Sequence, residues 1–221
     1  VDQPPQFEAS IANASTSSPP YYFTPLSQVT GYTFNADAIN LGLDTLTNVT
    51  LSIDVNTGLF TDNVSISSLA PALTANLSTL TLFVPTVEGP YNVDFNLSVN
   101  ETETDLTNNS GTVSFNISDT IYAWESGIPE LSLTFLADNA FLNNVYGQVF
   151  EINIVTQMTS ISFMLGGGEV GEKVFAGVYD FFGIPGDPGA EPALLLVSTD
   201  TITINNSASQ EYTLPLDNLI L

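Results

Sequence analysis

The chain has 221 residues, with 24 acidic side chains against one basic one, Lys173, no His and no Cys, and a formal net charge of −23. These absences exclude Ser-His-Asp and Cys-His nucleophiles, imidazole and thiolate metal sites, disulfides, and a cationic surface for phosphate, DNA or RNA. Hydrophobic residues make up 43% of the chain, enough to build real cores, so the acidity does not mean disorder.

Taken in chain order, Phe7, Ala9 and Ile11 and then Tyr32, Phe34, Ala36 and Ala38 alternate with polar neighbours and predict two strands. Val49, Leu51, Ile53 and Val55 give a stronger run, and a strand with a slipped phase and a bulge is expected near Leu77–Val84. Tyr91, Val93, Phe95, Leu97 and Val99, then Val113, Phe115 and Ile117, complete the first half. Turn chemistry separates the runs at Asn40-Leu41-Gly42, Asn56-Thr57-Gly58, Glu88-Gly89-Pro90 and Asn108-Asn109-Ser110-Gly111. Residues 1–118 therefore predict an immunoglobulin-like antiparallel sandwich, and 119–128 a junction. A second strand set is expected over Leu131–Phe135, Gln148–Ile154, Ser160–Leu165, Lys173–Phe182, Leu194–Ile204 and Glu211–Leu216. Val174–Phe182 and Leu194–Val197 are apolar on both faces and read as central strands. The fold class is thus all-β, two consecutive antiparallel β-sandwiches, with 129–221 jelly-roll-like. The apolar end Asp217-Asn218-Leu219-Ile220-Leu221 carries no polar tail, so the second sandwich is expected to be incomplete and the chain a fragment. The start, Val1-Asp2-Gln3-Pro4-Pro5, reads as a mature or trimmed end, and no 18-residue apolar run spans a membrane.

Carboxylates are the acid/base machinery available. Glu101, Glu103 and Asp105 lie at period-two spacing in a hairpin, on one face if extended. Three readings stand: a solvated turn, a weak Ca²⁺ site of hard oxygen ligands, and a glycosidase-like pair, which a convex tip serves poorly. Asp180, Asp187 and Glu191 around the loop 183–192 offer a second Ca²⁺ candidate without EF-hand spacing. Gly166-Gly167-Gly168-Glu169 lacks the Walker spacing and reads as a hairpin loop. Tyr21, Tyr22, Phe23 and Trp124 read as a staple at the junction, or else as a sugar-stacking platform.

The stretch from Asn40 to Leu51, N-L-G-L-D-T-L-T-N-V-T-L, resembles the "N-x-G-x-x-x-x-x-N-V-x-L" run of CARDB-type adhesion domains. Ile66-Ser67-Ser68-Leu69-Ala70-Pro71, Pro85 to Val93 and the acidic hairpin Asn100 to Asn109 resemble the later pieces of that pattern. The resemblance covers roughly residues 5–118 and implies an immunoglobulin-like module of a large secreted or surface protein. Tyr122-Ala123-Trp124-Glu125, Gly147 to Ile152 and Val174 to Asp180 are similar to segments of Bacteroidota surface proteins exported by the type IX system. In that setting Asp44-Thr45-Leu46, Asp119-Thr120-Ile121 and Asp200-Thr201-Ile202 match an O-glycosylation sequon, with Thr45, Thr120 and Thr201 as the acceptors. The expected function is a non-catalytic structural or adhesive module at the cell surface or outside the cell, associating with itself or other surface proteins into a fibre or layer. The alternative is a carbohydrate-binding accessory module of a secreted hydrolase. No enzyme activity, nucleic acid or membrane insertion is expected, and Ca²⁺ is the candidate cofactor.

Overall fold

The computed structural model describes residues 4–17, 21–125, 147–165, 170–183 and 191–221. The chain divides into two compact units, Val1–Ser126 and Gly127–Leu221. Eight strands build the first: β1 (Ala9–Thr16), β2 (Phe23–Pro25), β3 (Phe34–Asn40), β4 (Leu46–Val55), β5 (Phe60–Leu69), β6 (Thr74–Ser78), β7 (Gly89–Ser98) and β8 (Ser110–Ser118). They form one sheet of order β1-β3-β6 and another of order β2-β8-β7-β4-β5. The β2–β8 pair is parallel and the others are antiparallel. The chain changes sheets at every step from β1 to β4, and again between β5 and β6 and between β6 and β7, as an immunoglobulin-like sandwich requires.

The alternation in the sequence becomes the two sides of each sheet. Tyr91, Val93, Phe95 and Leu97 of β7 are buried, and Asn92, Asp94 and Asn96 between them are exposed. Phe34 of β3 meets Phe95 of β7 edge-on at 6.4 Å, joining the inner faces of the two sheets, and Tyr91 stacks on its cross-strand neighbour Phe115 at 5.3 Å within one of them. Burying one such ring stabilises the fold by up to about 3 kcal/mol. The Tyr91 hydroxyl donates to the Val87 carbonyl at 2.8 Å, so the ring also fixes the turn that leads into its own strand.

The motif around Asn40 is structural. The Asn40 side chain is fully buried, donating to the carbonyls of Asp44 (2.9 Å) and Leu69 (2.8 Å) and accepting the Gly42 N–H at 2.9 Å. A Cβ on Gly42 would stand 2.8 Å from the Gln6 carbonyl oxygen and the Glu8 nitrogen, so only glycine lets the chain before β1 lie this close. Asn56, Thr57 and Gly58 all take positive φ in the β4–β5 turn, the conformation that Asn and Gly supply there.

Three expectations change in this unit. Neither β2 nor β5 stood out by alternation: β2 is three residues ending in Pro25, and the inner side of β5 is only half-buried. The strand expected at Leu77–Val84 lies earlier, at Thr74–Ser78, and gives way at Thr79, whose hydroxyl accepts the Phe34 N–H at 2.9 Å. Phe83 then rejoins Tyr32 as a single bridge.

In the second unit the described strands are β9 (Gln157–Leu165), β10 (Lys173–Val174), β11 (Gly177–Phe182), β12 (Glu191–Ser198), β13 (Ile202–Thr203) and β14 (Gln210–Ile220). They pair as β9–β14, β10–β13 and β11–β12, all antiparallel. Both units are all-β, as the patterning requires. The strand expected at Gln148–Ile154 is absent from those described residues, and Leu131–Phe135 lies outside them. Lys173–Phe182 and Leu194–Ile204 each split in two where Thr199 intervenes. Its hydroxyl accepts the Ala176 N–H at 3.1 Å and donates to the Asp200 carbonyl at 3.0 Å. The apolar runs expected as central strands pair, among the described residues, with each other, and Phe182 (72%) and Leu194 (63%) stand exposed.

Candidate functional site

The connection between β7 and β8, residues 99–109, carries Glu101, Glu103 and Asp105. It bends instead of running extended, so the one-face arrangement expected from period-two spacing does not form. Each carboxylate serves a different neighbour. Glu101 reaches the start of β4: the Thr47 hydroxyl donates to its Oε1 at 2.6 Å and the Thr47 N–H to its Oε2 at 2.9 Å. Those two bonds, the hydroxyl first, favour the charged form and hold the Glu101 carboxyl below its ordinary range. Glu103 reaches β1, where the Ala9 N–H donates to its Oε1 at 2.6 Å, while the Asn109 amide donates to its Oε2 at 2.6 Å. Asp105 stays in its own turn, accepting from the hydroxyl (2.6 Å) and the N–H (2.8 Å) of Thr107, which together lower its pKa.

A fourth acid completes the arrangement. Glu8, 5% exposed, accepts the Thr104 and Asp105 N–H groups on Oε2 at 3.3 and 3.2 Å and the Asn108 amide on Oε1 at 3.1 Å. Glu8 and Glu103 thus hold each other's backbone: the first binds the loop, and the second binds the residue after Glu8. Strand alternation places Glu8 outside, opposite in phase to Ala9, so the sequence carried no signal for it. Behind the two amides, Asn108 Oδ1 and Asn109 Oδ1 are buried without a hydrogen-bond partner.

The outer face of the three-stranded sheet carries a second polar array. Asp37 of β3 accepts from Asn13 of β1 at 2.7 Å and Asn76 of β6 at 2.8 Å, and these bonds lower its pKa. Asp37, Glu101 and Asp105 all shift downward. A general acid at neutral pH needs the opposite.

Asp180 on β11 is exposed and accepts the Phe181 N–H on its Oδ1 at 2.9 Å. Asp187 lies outside the described residues, and Glu191 is described by its backbone alone, opposite Phe182. The glycines at 166–168 also lie outside. Among the described residues, no three His, Cys, Asp or Glu side chains gather to hold a metal. Thr45, Thr120 and Thr201 are exposed and lie outside strands, open to a modifying enzyme. Tyr21 packs edge-on against Tyr122 (4.9 Å) and Trp124 (5.1 Å), and Phe23 bridges Ala123, fastening residues 121–124 to the first unit. Among the described residues, no helix is long and apolar enough to cross a membrane.

No family model and no curated protein matches the chain. Among solved structures it is similar to the CARDB domain of a Pyrococcus furiosus protein, crystallised in complex with di-metal ions. That likeness has 18% identity over 52% of this chain and 90% of the other, with a TM-score of 0.39. The solution structure of the same domain matches at 18% identity over 54% of this chain and 100% of the other, with a TM-score of 0.39. A domain of a Methanosarcina acetivorans protein ascribed to the cell surface matches at 19% identity over 51% and 95%, with a TM-score of 0.37. At these identities and scores the likenesses say nothing of what this chain does.

Proposed function

We propose that the chain is a non-catalytic structural or adhesive module of a secreted or cell-surface protein, built to associate with itself or with other surface proteins. The observation that carries this reading is how the acidic loop uses its carboxylates. Glu8, Glu101 and Glu103 are spent on backbone N–H groups, a hydroxyl and amides that lash strands to the loop, and Asp105 on the N–H and hydroxyl of Thr107 in its own turn. They do not converge on a cleft. The CARDB-like motifs support it further, since Asn40 and Gly42 serve the fold. Exposed Thr45, Thr120 and Thr201 suit a glycosylated surface protein.

A glycan array together with panels of glycosidase and esterase substrates tests the reading. Neither binding nor turnover is expected. Turnover that disappears in Glu103→Gln would overturn it, and specific glycan binding would establish the accessory-module alternative.

One observation favours a cation at the loop as well. The orphaned oxygens of Asn108 and Asn109 are hard donors beside the Glu8 and Glu103 carboxylates, the chemistry Ca²⁺ prefers. Ca²⁺ added to EDTA-treated protein is then expected to raise Tm, and Asn109→Ala to abolish the rise. An unchanged Tm in the parent protein would leave the loop a clasp without metal.

A further inference from the structure

We infer that the free edge of β5 is the self-association surface of the first unit, and that its occupant is the β5 of a second copy, paired antiparallel about a two-fold axis beside Ser65. The inference deepens the self-association part of the proposed function and rests on it. A sheet edge offers a row of N–H and C=O groups to any passing strand, and folded proteins ordinarily blunt it. Among the described residues the first unit has four lateral edges, and three are blunted. On β1, Asn13 has positive φ and the register slips between Ala12 and Ser15, while the Ile11 N–H is taken by the Asn108 carbonyl at 2.9 Å. On β2 there are three residues ending in proline, and the strand is bridged by Ala123. β6 is five residues long.

β5 is different. It runs for ten residues against β4 with no register shift, its ladder skipping only Asn48 and Ser67, and it has no proline, no lysine and one charge, Asp62. Asn56, next after β4, donates to Asn92 on the β7 side, so by strand alternation Val49, Leu51, Ile53 and Val55 face β5; the phase turns at Asn48, which has positive φ, and Thr47 faces the other way. The register then gives Phe60, Asp62, Val64 and Ile66 the ladder bonds to β4, and turns the backbone of Thr61, Asn63 and Ser65 outward. Asn63 shows this directly: its N–H donates to the Asp62 Oδ1 at 2.8 Å. One carboxylate is therefore the guard of this edge where other proteins use Lys.

The strand is self-complementary in one register. With Ser65 opposite Ser65, outward-bonding residues meet at the axis, and Asn63 faces Ser67. Val64 of one copy then lies opposite Ile66 of the other, and Asp62 lies opposite Ser68. Centring the pair on Asp62 would oppose two carboxylates, which is unfavourable. What opposes pairing is the net charge of −23 on each copy, which salt screens: the screening length falls from about 30 Å at 0.01 M to about 3 Å at 1 M.

Sedimentation velocity on the full 221-residue chain at those two salt concentrations tests it. The expected result is a monomer at low salt and a dimer at high salt. Asp62→Asn, which removes the guard and a charge, is expected to dimerise at about tenfold lower concentration. Asn63→Pro and Ser65→Pro each delete one outward N–H without touching the ladder to β4, so whichever of them folds, by far-UV circular dichroism, is expected to stay monomeric. Parent and Asp62→Asn chains that remain monomeric throughout would overturn the proposal, as would a folded proline variant that dimerises like the parent. Either outcome, with no turnover and no glycan binding, removes the β5 pairing while the non-catalytic reading stands.

Discussion

Glu101 spends its charge on the hydroxyl and the N–H of one residue, Thr47. Because those bonds lower its pKa in the folded chain, their stabilisation is fully present above the unfolded value, about 4.3. It is lost as pH falls through the folded pKa. Glu101→Gln is therefore expected to melt below the parent protein at pH 7, and the gap is expected to close at a pH below the folded value. Thermal melts across that range check it, and a gap independent of pH would mean that charge plays no part. Asp37 and Asp105, lowered by their own amide and Thr107 bonds, add to the same acid limb. Self-repulsion among 24 acids works against that limb, since protonation also relieves the crowding of negative charge. The comparison of variants is thus more telling than the parent curve alone.

At the scale of elements, the loop at residues 99–109, the β7–β8 connection, ties in two further strands. Glu101 ties it to β4, Glu103 to β1, and Glu8 ties β1 back to it. Glu8→Ala would leave two backbone N–H groups and an amide without their acceptor, an expected loss of about 2–3 kcal/mol. Glu8→Gln keeps one acceptor and is expected to lose less. Urea titrations of both would measure the difference, and an unperturbed Glu8→Ala would show that water replaces the clasp. This part of the molecule was only half legible in the sequence. The acidic composition of the loop was plain, and so were the strands on either side of it. The assignment of each carboxylate was not, because it depends on which distant backbone donor the fold brings near: Ala9 is 94 residues from Glu103. β4, β7 and β8 were legible because their inner faces are continuous hydrophobic rows. β5 was not, since as an edge strand it buries only one side and that side partly, leaving Thr, Asn and Ser to set its appearance. In the second unit Thr199 divides runs that hydrophobicity alone joined.

At the scale of the whole molecule, charge and topology act together. A charge of −23 with a single Lys cannot be balanced internally, so the surface gathers counter-ions and responds to salt as a whole. The topology adds a directional property through the parallel pair. β2 lies early in the first unit and β8 closes it, and the two run the same way, side by side, through residues Phe23–Pro25 and Asn116–Ser118. The Asn116 N–H donates to the Tyr22 carbonyl at 2.7 Å, and Phe23 exchanges backbone bonds with Ala123 at 3.0 and 3.1 Å. Once β1 is drawn off β3, tension between the two ends of this unit pulls the parallel strands β2 and β8 in opposite directions along their length. Their bonds then bear the load at once and in shear, whereas an antiparallel hairpin pulled from its open end gives up one bond at a time. A chain of such units would stretch like a tether that holds until a threshold force and then yields in a single step.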